Sequence, residues 1–213
     1  MKAHRISTTI ADLGEIDAQL WASAPVTVVG LFQSPVILAQ VVSPQIALRT
    51  DHGALGSLNV QTIHNGTHLA IRTSWQMPEP HTIDDLDRFA DAVAVMFPMH
   101  REANAMTMGA SGQPVNAWYW RACDSEPFDV VAEGLGTTLR RDPKLTALRA
   151  GARYTEGSWA VTFVRPLAVE AEAARFTPGV RTGIAFSVWD GGRSERAAYK
   201  SSSLVFGDFE LEA

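Results

Sequence analysis

"LNVQTIHNGTHLAIRTSW", residues 58–75, decides the fold class. Apolar and polar residues alternate on both sides of Asn65-Gly66. A period of two puts one face of a strand against a core, and Asn-Gly supplies the positive φ angles a tight turn needs. The stretch therefore predicts two antiparallel strands joined by a turn. Working outward, "DAVAVMFP" (91–98) places Val93, Val95 and Phe97 on one face, and "SWAVTFVRPL" (158–167) does the same with Trp159, Val161 and Phe163. "TGIAFSVWDG" (182–191) and "SLVFGDFELE" (203–212) also read as strands. Helical periodicity is weak. "TIDDLDRF" (82–89), with Thr82 as its cap, and "LAVEAEAARF" (167–176) predict one short helix each. Short strands divided by Gly, Pro and Asp turns predict an all-β fold. The expected architecture is a sandwich of two antiparallel sheets with a few short helices, forming one domain over residues 1–213.

Composition narrows the function. Hydrophobic residues make up 46% of the 213 and mean hydropathy is −0.01, as in ordinary globular proteins. A net charge of −5 gives no electrostatic support to a nucleic-acid partner. Only three of the eighteen basic residues are lysines (Lys2, Lys144 and Lys200), so the placement of each is informative. The single cysteine, Cys123, excludes an internal disulfide, a multi-cysteine metal site and a C-x-x-C-H haem attachment. The first twenty residues carry Asp12, Glu15 and Asp17 and no apolar signal-peptide core, and no run approaches eighteen apolar residues. Neither a secretory signal nor a membrane span is expected within the sequence.

Several motifs reduce to structure. His64-x-x-x-His68 has the spacing of a helical metal pair, but Asn65-Gly66 between them makes it a hairpin. Asn65-Gly66-Thr67 also fits a glycosylation sequon. "GLGTTL" (134–139) has Leu139 where a dinucleotide loop needs its third glycine. No G-x-S-x-G occurs, and Ser201-Ser202-Ser203 reads as a strand edge or turn. The acids of Asp84-Asp85 and Asp124/Glu126 are expected to be solvated. No constellation supports a stand-alone enzyme. Trp75, Trp159 and Trp189 fall where a sandwich buries large residues, whereas Trp118 and Trp120 share one strand face and suit either the core or the wall of a flat-ligand pocket.

The run "AMTMGASGQPVNAWYW" (105–120) is less easily absorbed. Met106 and Met108 share a face ahead of a Gly-rich turn, and Met99-His100 lies nearby. Methionine is usually core filler, but its thioether also ligates haem iron.

Four ordered blocks carry a resemblance: "DAVAVMFP", "TMGASGQPVNAWYWRA", "GARYTEGSWAVTFVRPL" and "FTPGVRTGIAFSVWDGGRSERAAYKSSS". From about residue 55 onward the chain resembles the haem b-binding γ subunits of periplasmic molybdenum enzymes of the dimethyl sulfoxide reductase type. Those of ethylbenzene dehydrogenase, dimethylsulfide dehydrogenase, selenate reductase and chlorate reductase are members, and the leaning is toward chlorate reductase. The resemblance implies a β-sandwich holding one non-covalent haem b, with Met108 and Lys200 as axial iron ligands. Met106 and His100 are competitors for the iron. Gly109 and Gly112 are expected to give the porphyrin room, and Val115, Trp118 and Trp120 to wall the pocket. Arginines are expected at the propionates, with fifteen candidates and none singled out. The implied role is non-catalytic electron transfer in a periplasmic heterotrimer. It runs between an iron–sulfur β subunit, itself beside a molybdenum-containing α subunit, and a soluble periplasmic cytochrome c. A carbohydrate-binding sandwich without haem, presenting exposed coplanar aromatics, is the alternative. A free-standing haem sandwich that senses or stores is a third.

Overall fold

Fourteen strands carry the fold in the computed structural model, which describes residues 1–213 apart from the side chains at positions 46 and 47. In chain order they are β1 (Lys2–Arg5), β2 (Thr27–Gly30), β3 (Phe32–Gln33), β4 (Ser57–His64), β5 (His68–Gln76), β6 (Ala92–Pro98) and β7 (Val115–Arg121). There follow β8 (Phe128–Ala132), β9 (Leu139–Arg140), β10 (Arg149–Thr155), β11 (Ser158–Pro166), β12 (Arg181–Trp189), β13 (Ser201–Ser202) and β14 (Gly207–Leu211).

The hairpin forms where the alternation puts it, β4 against β5 with Val60 opposite Thr73 and Thr62 opposite Ile71. At its turn the Asn65 carboxamide oxygen accepts the N–H groups of Thr67 and His68, at 3.1 and 2.8 Å, while Gly66 takes φ +87°. One layer runs β10-β11-β5-β4, with β2 and β1 sharing the far edge of β4. The other runs β12-β6-β7-β8-β9, and β13 and β14 share the remaining edge of β12. Pairing is antiparallel except at β1, which lies parallel to both β4 and β14 and so joins the two layers along one side. The sandwich is therefore as expected, with a parallel seam added.

Between the layers lies the main core. Val93, Val95, Phe97, Trp118 and Trp120 face Leu58, Val60, Ile71, Trp159 and Phe163. Trp118 meets Phe97 edge-on at 4.9 Å, and Trp120 meets Trp159 across the layers at 5.1 Å. A smaller core covers the outer face of the first layer, where Leu13, Trp21 and Ala24 pack on Ile63, Ala70 and Val164.

Neither predicted helix forms. Over 82–89 the Asp85 carboxylate accepts the Leu86 N–H, and the Asp85 N–H reaches the Arg88 carbonyl, so local polar bonds replace helical ones. Over 167–173 the backbone bends repeatedly, with Leu167, Val169, Ala171 and Ala173 buried between exposed neighbours, so no helix forms. The α-helices that do form are the single turns Ile10–Gly14, capped by Thr9, and Pro143–Thr146, capped by Asp142.

Candidate functional site

The second layer is apolar on both faces. Val93, Val95, Trp118, Phe186 and Val188 point into the sandwich; Ala94, Met96, Ala117, Tyr119, Ser187 and Trp189, alternating with them, point outward. Those outward residues floor a cavity of about 380 Å³ that extends across to Phe128, Val130 and Arg140. Small side chains at positions 94, 117 and 187, one on each of three adjacent strands, flatten the centre of the floor. Trp189 and Tyr119 meet edge-on at 5.1 Å to form one wall. Four connections complete the lining, contributing Ala39 with Val42, Met108, Leu135 with Gly136, and Ala197 with Lys200.

Met108 reaches the cavity from the β6–β7 connection. Its backbone is left-handed at φ 56°, a conformation that costs a non-glycine residue on the order of 1 kcal/mol. The surroundings impose it: Met108 N–H donates to the Ala105 carbonyl at 3.2 Å, and its own carbonyl accepts from Gly134 N–H at 3.0 Å. Next to it, Gly109 takes φ +84°, where a Cβ would meet the Gln113 and Ala132 carbonyls at 2.5 and 3.0 Å. The glycine thus lets the loop lie against its own backbone and against the end of β8. The loop is fixed, and its strained residue presents a thioether to the cavity.

Lys200 lines the same cavity from the residue just before β13. Its carbonyl accepts the Ser34 N–H at 3.1 Å, and the loop ahead of it is pinned by Glu195, whose carboxylate accepts Gly53 and Asp190 N–H groups at 2.5 and 3.0 Å. The ammonium sits 4.9 Å from the Trp189 ring centroid. Among the described residues no carboxylate pairs with it, and it is half-buried where it lines the cavity. Burial holds its pKa down to about 8, against an ordinary 10.5. Between those values the unfolded chain binds a proton that the folded chain does not. Stability therefore rises with pH across the window, and the cost is fully present below pH 8. Lys200→Met is expected to stabilise the unliganded protein below pH 8, with the gain fading by pH 10.5. Urea midpoints measured across that range check this; a gain independent of pH would contradict it.

The other expected site residues separate. Trp118 and Trp120 do share a face, but it is the core face, and they are 0% and 7% exposed there. Their place as cavity walls is taken by Tyr119 and Trp189. Val115 is buried at the end of β7, and neither it nor Gly109 nor Gly112 lines the cavity. Of the competing ligands, His100 is exposed, Met106 is 38% exposed and Met99 packs on the main core. Met96, which sequence reasoning passed over, is the second thioether in the cavity.

Remaining motifs are structural. His64 and His68 flank the hairpin turn, and burial lowers the pKa of both. His81, Asp91 and Asp190 do bring their ligand atoms within 4.8 Å of one another. Asp91, however, already accepts N–H groups from His81, Trp159 and Gly191 at 2.8–2.9 Å, so it ties three segments together. Asp84 and Asp124 are not merely solvated, since both pair with Arg121, at 2.7 and 2.5 Å. Ser201 and Ser202 lie in strand β13, and the Ser201 hydroxyl accepts the Leu55 N–H. Cys123 is half-buried, and burial raises its thiol pKa.

The sequence profile of ethylbenzene dehydrogenase matches residues 18–148 and 140–201, taking in both Met108 and Lys200. The chain belongs to the ethylbenzene dehydrogenase family. A Haloferax mediterranei protein assigned as a respiratory nitrate reductase haem subunit is 31% identical over 189 residues, covering 87% of this family member and 64% of its own length. The γ subunit of dimethylsulfide dehydrogenase from Rhodovulum sulfidophilum is 29% identical over 195 residues, covering 88% and 71% respectively. The present chain thus spans roughly two thirds of the length of these relatives. Among solved structures, a Bacteroides uniformis protein described as carbohydrate-binding superposes with a TM-score of 0.62 at 10% identity, covering all of this chain and 98% of that one. That likeness is one of fold alone. In this ethylbenzene dehydrogenase-family chain all six tryptophans are buried, so the tryptophan platform that a sugar-binding surface would require is absent from its exterior. Among the described residues no helix is long and apolar enough to cross a membrane.

Proposed function

We propose that the chain is a non-catalytic electron-transfer subunit carrying one haem b, with Met108 and Lys200 as its axial ligands. One observation carries the reading: a strained methionine and an unpaired, desolvated lysine from distant parts of the sequence line the same flat-floored cavity. The residues fit the group. The amine has no competing acid, and with a pKa of about 8 roughly one molecule in ten is already neutral at pH 7. At the ordinary 10.5 the neutral fraction would be several hundred-fold smaller. Met108 supplies the soft donor, which favours the ferrous state. The Trp189 ring, 4.9 Å from the ammonium, supplies apolar surface beside the lysine. Bound haem would contribute a one-electron ferric/ferrous couple, and two protein ligands would leave no position for a substrate.

The family and the names of its relatives support the wider assignment. The chain would sit in a periplasmic heterotrimer with an iron–sulfur β subunit and a molybdenum-containing α subunit, and exchange electrons with a soluble cytochrome c. The relatives reported above are named for nitrate and dimethylsulfide. No cavity residue would select a terminal substrate, so the leaning toward chlorate rests on sequence resemblance only.

Stopped-flow mixing of the dithionite-reduced, haem-loaded protein with oxidised soluble cytochrome c tests the role. The two spectra are expected to change together, the protein oxidised as the cytochrome is reduced. A haem-loaded protein that stays reduced over minutes in its presence would contradict the relay.

A further inference from the structure

Resting on the haem reading, a second question is what holds the two propionates. Fifteen arginines are candidates by sequence, and the cavity reduces them to one. Of the residues that line it only Arg140 and Lys200 are charged, and none is acidic. With Lys200 committed to the iron, Arg140 is the cation left to meet carboxylates.

Its position suits that task. Arg140 lies on β9 at the edge of the layer, opposite Val130 on β8 and four strand spacings from β12, about 19 Å across the floor. Its side chain is exposed at the rim, and its guanidinium lies over the Phe128 ring, 3.7 Å from the centroid. That stacking orients the planar group while leaving its N–H donors free. Among the described residues no Asp or Glu pairs with it. Arg121 also approaches Phe128, at 5.9 Å, but it is held by Asp84 and Asp124. We infer that Arg140 is the propionate anchor: it holds the carboxylates at the β9 rim and so fixes which edge of the haem faces outward. A guanidinium presents paired donors that match a carboxylate, and such charge-assisted bonds are the stronger kind.

Transfer of haem to excess apomyoglobin measures the anchor directly. The test compares wild type with Arg140→Gln, each loaded with protohaem or with its dimethyl ester, which lacks carboxylate charge. With protohaem the variant is expected to lose its haem roughly tenfold faster or more, as losing a charge-assisted bond implies. With the ester, wild type and variant are expected to release at the same rate. Equal acceleration with both haems would overturn the anchor and assign Arg140 a packing role. So would the absence of any acceleration. If neither protein takes up haem at all, the cofactor reading fails, and the anchor with it.

Discussion

Lys200→Ala, loaded with haem and reduced, is expected to bind carbon monoxide readily, whereas the wild type resists it. On the proposed reading Lys200 and Met108 would together hold the iron, so removing the amine would open it to a small ligand. A shifted Soret band under carbon monoxide reads this out, and the reduced α and β bands of the unexposed variant should lose their sharpness. Haem affinity should fall by more than the ~10–100-fold that accompanies loss of a residue merely supporting a ligand. The effect should differ in kind from Met108→Ala. In that variant Met96, the other thioether in the cavity, is available on the floor. A Lys200→Ala protein that resists carbon monoxide as fully as wild type would show that a different side chain closes that position.

The second large effect is on stability. Behind the cavity floor, Arg165 and Asp129 form an ion pair at 2.8 Å with side chains 0% and 1% exposed. Asn116 joins them, accepting from Arg165 at 2.9 Å and from the Ala174 N–H at 3.1 Å, while its own amide donates to Asp129 and to the Val130 carbonyl. Arg165 also donates to the Ala174 carbonyl and lies against the Trp118 and Phe176 rings. The network is what ties the 167–176 segment to β7 and β8. Burial pushes the Arg165 pKa down, with Asp129 opposing it. Asp129→Ala leaves a buried guanidinium without its counter-charge and is expected to cost about 3–5 kcal/mol in urea unfolding. Replacing both partners by apolar residues, as in Asp129→Leu with Arg165→Met, should be far milder, because no charge then remains to be desolvated. A single Asp129→Ala costing under about 1 kcal/mol would mean that water reaches the guanidinium.

Much of the fold was legible because its signals are local. Asn65-Gly66 between alternating runs specifies a hairpin whatever the rest of the chain does, and β11 and β12 follow from residues two apart. The parallel seam at β1 was not legible. A four-residue strand reveals nothing of its partners, and β4 and β14 lie far from each other in sequence. The 167–176 segment misled because its alanines and glutamates favour helix, while Phe176 N–H donates to the Leu167 carbonyl, Leu167 N–H to the Thr67 carbonyl, and Arg165 holds Ala174. Tertiary contacts overrode propensity there.

The site was legible only in part, for a different reason. The central strands β6, β7 and β12 carry apolar residues on both faces, so alternation could not tell which face of β7 held the core. Trp118 and Trp120 drew attention by size, yet the smaller Ala117 and the single Tyr119 between and beside them line the cavity. Arg140 is one of fifteen arginines, and only the cavity distinguishes it. Met108 and Lys200 came from family resemblance. Geometry adds what neither spacing nor composition could, namely that the two line one cavity and that the lysine there has lost its usual solvent.

The most direct test is the absorption spectrum of the wild-type protein after haem is supplied, oxidised and then reduced with dithionite. A Soret band with sharp reduced α and β bands, at one haem per chain, is the predicted result. A protein that stays colourless after haem is supplied would contradict the account.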